Sequence, residues 1–200
     1  MEKGQKIKEL IGPYQDVIIF MVTLLVANYF WKWTMVGDED GEAVLWFGMD
    51  ITAPFAYMSH HIAKVVYELV TLCRDTAMFV GERTIRFESG NGTTIIWGCT
   101  GLKQSFIFLW LILTIPPIFQ FSNSPIFKFL TAKLGFVLVG WLACYAFNIL
   151  RIFLIALAIE HHPEWFEFLH DFLFKYLFYG MLFGLWVIFV EKIRPAVLSN

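Results

Sequence analysis

The stretch from Ile126 to Ile159 stays apolar for over thirty residues, interrupted only by scattered polar side chains such as Lys128, Lys133, Asn148 and Arg151. At a rise of about 1.5 Å per residue, a helix of that length outruns a hydrocarbon core of about 30 Å. Such a segment has to break, tilt or protrude, and no soluble domain of 200 residues has room to bury it. Composition agrees: 58% of the chain is hydrophobic, with 22 Phe and 8 Trp, more apolar surface than a core of this size can hide. The chain is an integral membrane protein. Its 15 basic and 17 acidic residues leave a net charge of -2, which provides no basic surface for nucleic acid.

Charge position then orders the spans. Lys3, Lys6 and Lys8 precede a first apolar run at Val17–Val36, and an acidic loop from Gly37 to Glu42 follows it. Basic residues before and acidic residues after put the N-terminus in the cytoplasm, and the run reads as a retained anchor rather than a cleaved signal peptide. Phe55, Met58, Ile62, Val65, Leu69 and Leu72 recur at spacings of three and four, with His60, His61, Lys64, Glu68 and Arg74 on other faces. That pattern predicts an amphipathic interfacial helix. Thr84–Glu88 alternates, Ser89–Gly92 carries turn chemistry, and Thr93–Trp97 is rich in β-branched residues, so a short extracytoplasmic β-hairpin is expected, its second strand ending at Cys99. Asn91-Gly92-Thr93 also fits a glycosylation acceptor.

A second span is expected at Leu102–Phe121, broken near Pro116-Pro117, and a third at Phe129–Phe147, with Ile152–Ile159 continuing as helix. Lys128 and Lys133 suit the cytoplasmic side. The last span is Phe172–Val190, closed by Lys192 and Arg194. The expectation is therefore an all-α polytopic membrane protein with about four transmembrane helices. It forms a single domain over residues 1–200, sits in the inner membrane of a prokaryote and has both termini cytoplasmic.

Under this topology Cys99, Arg151 and His170 reach the same outer boundary, although none of them was used to build it. Their chemistries are complementary. A thiolate attacks a carbonyl, a histidine takes the proton and returns it to a leaving amine, and a guanidinium donates to the oxyanion. An arginine near a bilayer centre costs at least about 2.5 kcal/mol unless it faces a partner or water. Asn148, one turn before Arg151, can orient it or the substrate, and Gly98 and Gly101 let backbone approach Cys99 closely. Duller readings stand beside these. Cys99 could be a small core residue or pair with Cys73, Arg151 could snorkel to the interface, and His170 could be a cap with His161 or His162 as the base. His60, His61, His161 and His162 lack the ligand spacing of a metal site, and the sequence implies no cofactor.

From Gly90 to Val190 the chain resembles the exosortase and archaeosortase family of membrane-embedded cysteine transpeptidases. The likeness rests on Cys99-Thr100-Gly101 entering a span, on Asn148-Ile149-Leu150-Arg151-Ile152, and on His170-Asp171 before the last span. Thr100 stands where many members have Ser, and Gly98 where many have Ala. The resemblance implies that Cys99, Arg151 and His170 are catalytic, with Gly101 and Asn148 positioning the substrate. It also implies cleavage of a membrane-anchored protein at a C-terminal sorting signal through a thioester, on the extracytoplasmic face, with transfer to an amine acceptor. The alternative from another class is a non-catalytic membrane assembly factor or carrier in which Arg151 binds an anionic group.

Overall fold

A computed structural model of the chain describes residues 14–35, 42–116 and 126–198. The first element, α1 (Gln15–Thr34), has no internal Gly or Pro, and its 20 residues make a rod of about 30 Å. Only 17% of its most apolar stretch is buried against the protein, so its remaining faces need lipid. Among the described residues, three helical runs are long and apolar enough to cross a membrane: α1, the run Phe127–His161 and the run Pro163–Val197. The expected second span appears as a 12-residue helix, α3 (Leu102–Leu113), about 18 Å long and too short to cross alone. The rest of that span beyond Pro116, like most of the acidic 37–42 loop and the Ser122 loop, lies outside the described residues.

The long apolar run is one unbroken helix, α4 (Ile126–His161), of 36 residues and about 54 Å. Of the three expected outcomes, a break is excluded. The lower half of α4 packs with α1, α3 and the last helix through Phe129, Phe136, Val137 and Cys144. Its upper half, from Ile149 to Leu157, packs instead beneath a cap of strands and one helix. Lys133, expected to mark the cytoplasmic surface, is buried; its ammonium donates to the carbonyls of Leu113 (2.7 Å) and Ile115 (2.6 Å). It satisfies the carbonyls left open where α3 stops before Pro116.

The cap contains α2 (Ala53–Thr71), the expected amphipathic helix, but its inner face is rotated from the one expected. Ser59, Ile62, Ala63, Val66 and Val70 are buried, while Leu72 is exposed. Ile62, Ala63, Val66 and Val70 pack against Ile152 and Ala156 of α4. The predicted hairpin is part of a three-stranded antiparallel sheet, β3 (Met78–Val80), β4 (Thr84–Arg86) and β5 (Gly92–Thr94), in which β3 was not anticipated. Its second strand ends at Thr94, not at Cys99. Residues Trp97–Thr100 form a 3-10 turn, because Trp97 is drawn into a cluster with Trp31, Met35 and Val44 and donates its indole N–H to the Glu42 carbonyl (2.9 Å). A further hairpin, β1 (Leu45–Trp46) with β2 (Met49–Asp50), was also not anticipated.

The closing run begins with a 3-10 turn at Pro163–Trp165 and a π-helical segment at Phe168–Leu173. It continues as α5 (Phe174–Ile188), a second π segment at Phe189–Ile193 and a last short helix, α6 (Arg194–Leu198). Arg194 makes a two-pronged ion pair with Asp16 (2.9 and 2.6 Å), which ties this end to the start of α1. At the other end Arg74 pairs with Glu160 (2.9 Å) and Asn91 donates to the Glu160 carbonyl (2.9 Å), which ties the cap to the top of α4.

α3 packs on α4 at Gly140, where an added Cβ would lie 1.8 Å from the fully buried Phe108 ring. Gly140→Ala is therefore expected to destabilise the protein by about 1–3 kcal/mol, read as a lower melting temperature in detergent. Gly135→Ala, with open space around its Cβ, should melt like the parent.

Candidate functional site

Cys99 lies in the 3-10 turn immediately before α3. The turn closes at Gly101, whose φ of 77° is left-handed, and a Cβ there would sit 3.2 Å from Asn148. Asn148 is fully buried on α4, and its amide nitrogen donates to the Cys99 carbonyl at 2.8 Å. The height of Cys99 is thus set by a side chain of the longest helix. Neither Gly101 nor Asn148, both expected to position a substrate, is among the residues lining the adjoining cavity.

That cavity, of about 440 Å³, is lined by Cys99, Arg151 and His170 together. The same three residues also line a recess of about 30 Å³. They come from the 3-10 turn, from α4 ten residues before its end and from the π-helical segment. Arg151 follows Ile126 by 25 residues, which places it about 37 Å along the α4 axis. It is 8% exposed, so it does not snorkel to open water, and its Nε has no hydrogen-bond partner among the described residues. Within electrostatic reach of it are Cys99 and Asp171.

His170 stacks on Phe166 (ring centroids 5.1 Å apart, interplanar angle 15°), and its Nδ1 is 2.8 Å from Asp171 Oδ1. A carboxylate can only accept, so Nδ1 carries the hydrogen and Nε2 is left with its lone pair. This is the tautomer a general base needs, held in place by Asp171. The competing histidines are placed elsewhere. His162 pairs with Glu164 (3.0 Å) and stacks on Trp165, His161 lies 3.7 Å from Glu160, and neither lines the cavity. Cys73, Cys99 and Cys144 form no disulfide, so the Cys73–Cys99 pairing is absent.

Lys103, Gln104, Lys175 and Tyr179 also line the cavity and were not singled out from the sequence. A signal for them existed. Lys103 and Gln104 stand with Ser105 at the start of an otherwise apolar helix, and Lys175 follows Asp171 by one turn. With Arg151 they give the cavity three cationic side chains against the single carboxylate of Asp171. Gln104 Oε1 is buried and has no partner among the described residues.

The chain matches no family model, no curated protein and no solved structure. The Gly101 and Asn148 contact can be tested as a unit. Gly101→Ala, forced into a left-handed backbone, should cost about 1–2 kcal/mol, and Asn148→Ala about 1–3 kcal/mol for the orphaned Cys99 carbonyl. Because both act on one contact, the double variant should lose less than the sum in thermal denaturation. Strict additivity would separate the two residues.

Proposed function

We propose that the chain is a membrane-embedded cysteine peptidase or transpeptidase of the exosortase type. Its substrate class would be membrane-anchored proteins carrying a C-terminal sorting signal. The observation that carries this reading is the convergence of Cys99, Arg151 and His170 on one cavity from three separate segments, with Asp171 orienting the histidine. In the proposed reaction His170 Nε2 takes the Cys99 proton and the thiolate attacks the scissile carbonyl carbon. The resulting oxyanion is met by the Arg151 guanidinium, whose Nε has no other partner among the described residues. Collapse expels the leaving amine, which receives the proton held on His170, and leaves a thioester on Cys99. An amine or water then attacks the thioester and restores the thiol.

The setting suits such a reaction. The cavity adjoins α4 at Arg151 and the first turns of the closing run, where a protein anchored by its own apolar helix would present the residues flanking that helix. Both termini are proposed to be cytoplasmic and the cavity extracytoplasmic, in the inner membrane of a prokaryote. The short helix α3, with the segment that follows it, is proposed as the fourth crossing.

One observation favours a second reading. Arg151, Lys103 and Lys175 line the same cavity, as they would in a non-catalytic carrier or assembly factor that binds an anionic group. Cys99→Ala separates the two: processing of the substrate is abolished in the enzyme while insertion and folding persist, whereas a carrier functions nearly normally. In the enzyme Arg151→Lys should also lose most of its activity, because directed guanidinium bonds are lost although the charge is kept. Wild-type rates in that variant would remove the oxyanion role. For topology, an impermeant thiol reagent added from outside should reach a cysteine placed in the Gly37–Glu42 loop and not one at Ser122; the reverse pattern would put the cavity on the other side.

A further inference from the structure

The hairpin of β1 and β2 is built in a way that water alone does not explain. Its two strands pair Leu45 with Asp50 and Trp46 with Met49, leaving Phe47-Gly48 as a two-residue turn. Both turn residues have positive φ, 52° for Phe47 and 79° for Gly48. That geometry favours Asn, Asp or Gly at the first position, and a bulky aromatic there costs conformational energy. Phe47 is also 100% exposed, and Leu45, Trp46 and Met49 beside it are exposed as well. A four-residue apolar tip held away from the protein's own core is unfavourable in water.

The base of the hairpin, by contrast, is firmly held. Thr52 is buried, donates its hydroxyl to Asp50 Oδ1 (2.6 Å) and accepts from the Val44 amide (3.3 Å). Val44 in turn packs with Trp31 and Met35 from the last turn of α1 and with Trp97 from the turn that bears Cys99. The hairpin therefore starts at the level where α1 leaves the membrane. At that level α1 presents Tyr29, Phe30 and Trp33 outward, the aromatic residues that favour a bilayer interface. The tip continues this apolar and aromatic surface, and no residue from Val44 to Met49 is charged.

We infer that the tip Leu45–Met49 is an interfacial membrane anchor, inserted among the lipid headgroups and upper acyl chains beside the outer end of α1. Lipid is the occupant that removes the exposure penalty of the tip and gives the phenyl ring a reason to occupy the turn. Because the base packs on Trp97, the anchor also ties the turn that bears Cys99 to the bilayer surface.

Site-directed spin labelling of the full chain in liposomes of zwitterionic phospholipid tests this. In a Cys73→Ser, Cys99→Ala background, with the buried Cys144 left in place, a nitroxide is attached at Phe47→Cys, and its accessibility to oxygen and to a water-soluble nickel chelate is compared. Controls are Leu142→Cys on the exposed face of α4 and Glu88→Cys in the cap. The expected oxygen-to-nickel ratio at position 47 is several-fold above that at 88 and close to that at 142. A ratio equal to that at 88 overturns the inference. Shielding from both agents, the mark of a protein partner or a second copy, overturns it too. If the label at 142 itself reads as aqueous, the membrane placement fails and the anchor with it. A second variant guards against misfolding. Phe47→Asn, the residue this turn prefers, should melt at or above the parent in detergent, while a label at Met49→Cys loses its lipid signature several-fold. An unchanged signature there would remove Phe47 from the anchor and with it the inference.

Discussion

A single helix that is longer than the membrane is thick governs the rest of this structure. At about 54 Å, α4 cannot be accommodated by a hydrocarbon core of about 30 Å, even with tilt, and its surplus stands outside as a post. An apolar post in water needs covering, and α2 with the three-stranded sheet supplies the cover through Ile62, Val66, Ile85 and Ile95. The two largest of the hydrophobic clusters among the described residues follow from that division, one among the apolar helices and one beneath the cap. Asn148 and Arg151 lie one turn apart on α4 between these two environments, and the cavity opens there.

That position resolves the energetic difficulty of a buried arginine. In the middle of an apolar layer Arg151 would be a heavy penalty; here it borders a cavity that also holds Lys103, Asp171, Lys175 and His170. The guanidinium is shielded by protein and still meets polar neighbours. Asp171 serves two groups at once, since it fixes the His170 ring and lies within electrostatic reach of Arg151. The π-helical segment that carries both residues is itself a departure from regular α geometry, of the kind that often accompanies functional positions.

Much of this was legible in the chain, and the parts that were not have physical reasons. Apolar runs marked α1, α4 and the closing run because their length and lack of charge leave few alternatives. The meeting of Cys99, Arg151 and His170 in one cavity was anticipated from topology, because an odd or even number of crossings decides which segment ends share a side. Short elements escaped. β1 and β2 have two residues each, and their Phe47-Gly48 turn lacks the Asn or Asp that would announce it. The face of α2 was misjudged because Ser59 and Ala63, small and weakly apolar, carry no signal in a hydrophobic pattern although they are buried. Lys133 was taken as a surface charge because sequence cannot distinguish an ammonium in water from one that meets backbone carbonyls. The Asn91-Gly92-Thr93 tripeptide matches an acceptor pattern, yet the Asn91 amide is occupied by the Glu160 carbonyl.

The short helix α3 meets α4 at three levels: the Gly101 and Asn148 contact above, the Phe108 ring over Gly140 in the middle, and Lys133 clasping its last carbonyls below. Two rods joined at top, middle and bottom have no freedom to slide or roll separately. They behave as one beam, with Cys99 fixed to its upper end. A displacement at the lower end of α3 is therefore shared with α4, and the thiol moves only as the pair moves.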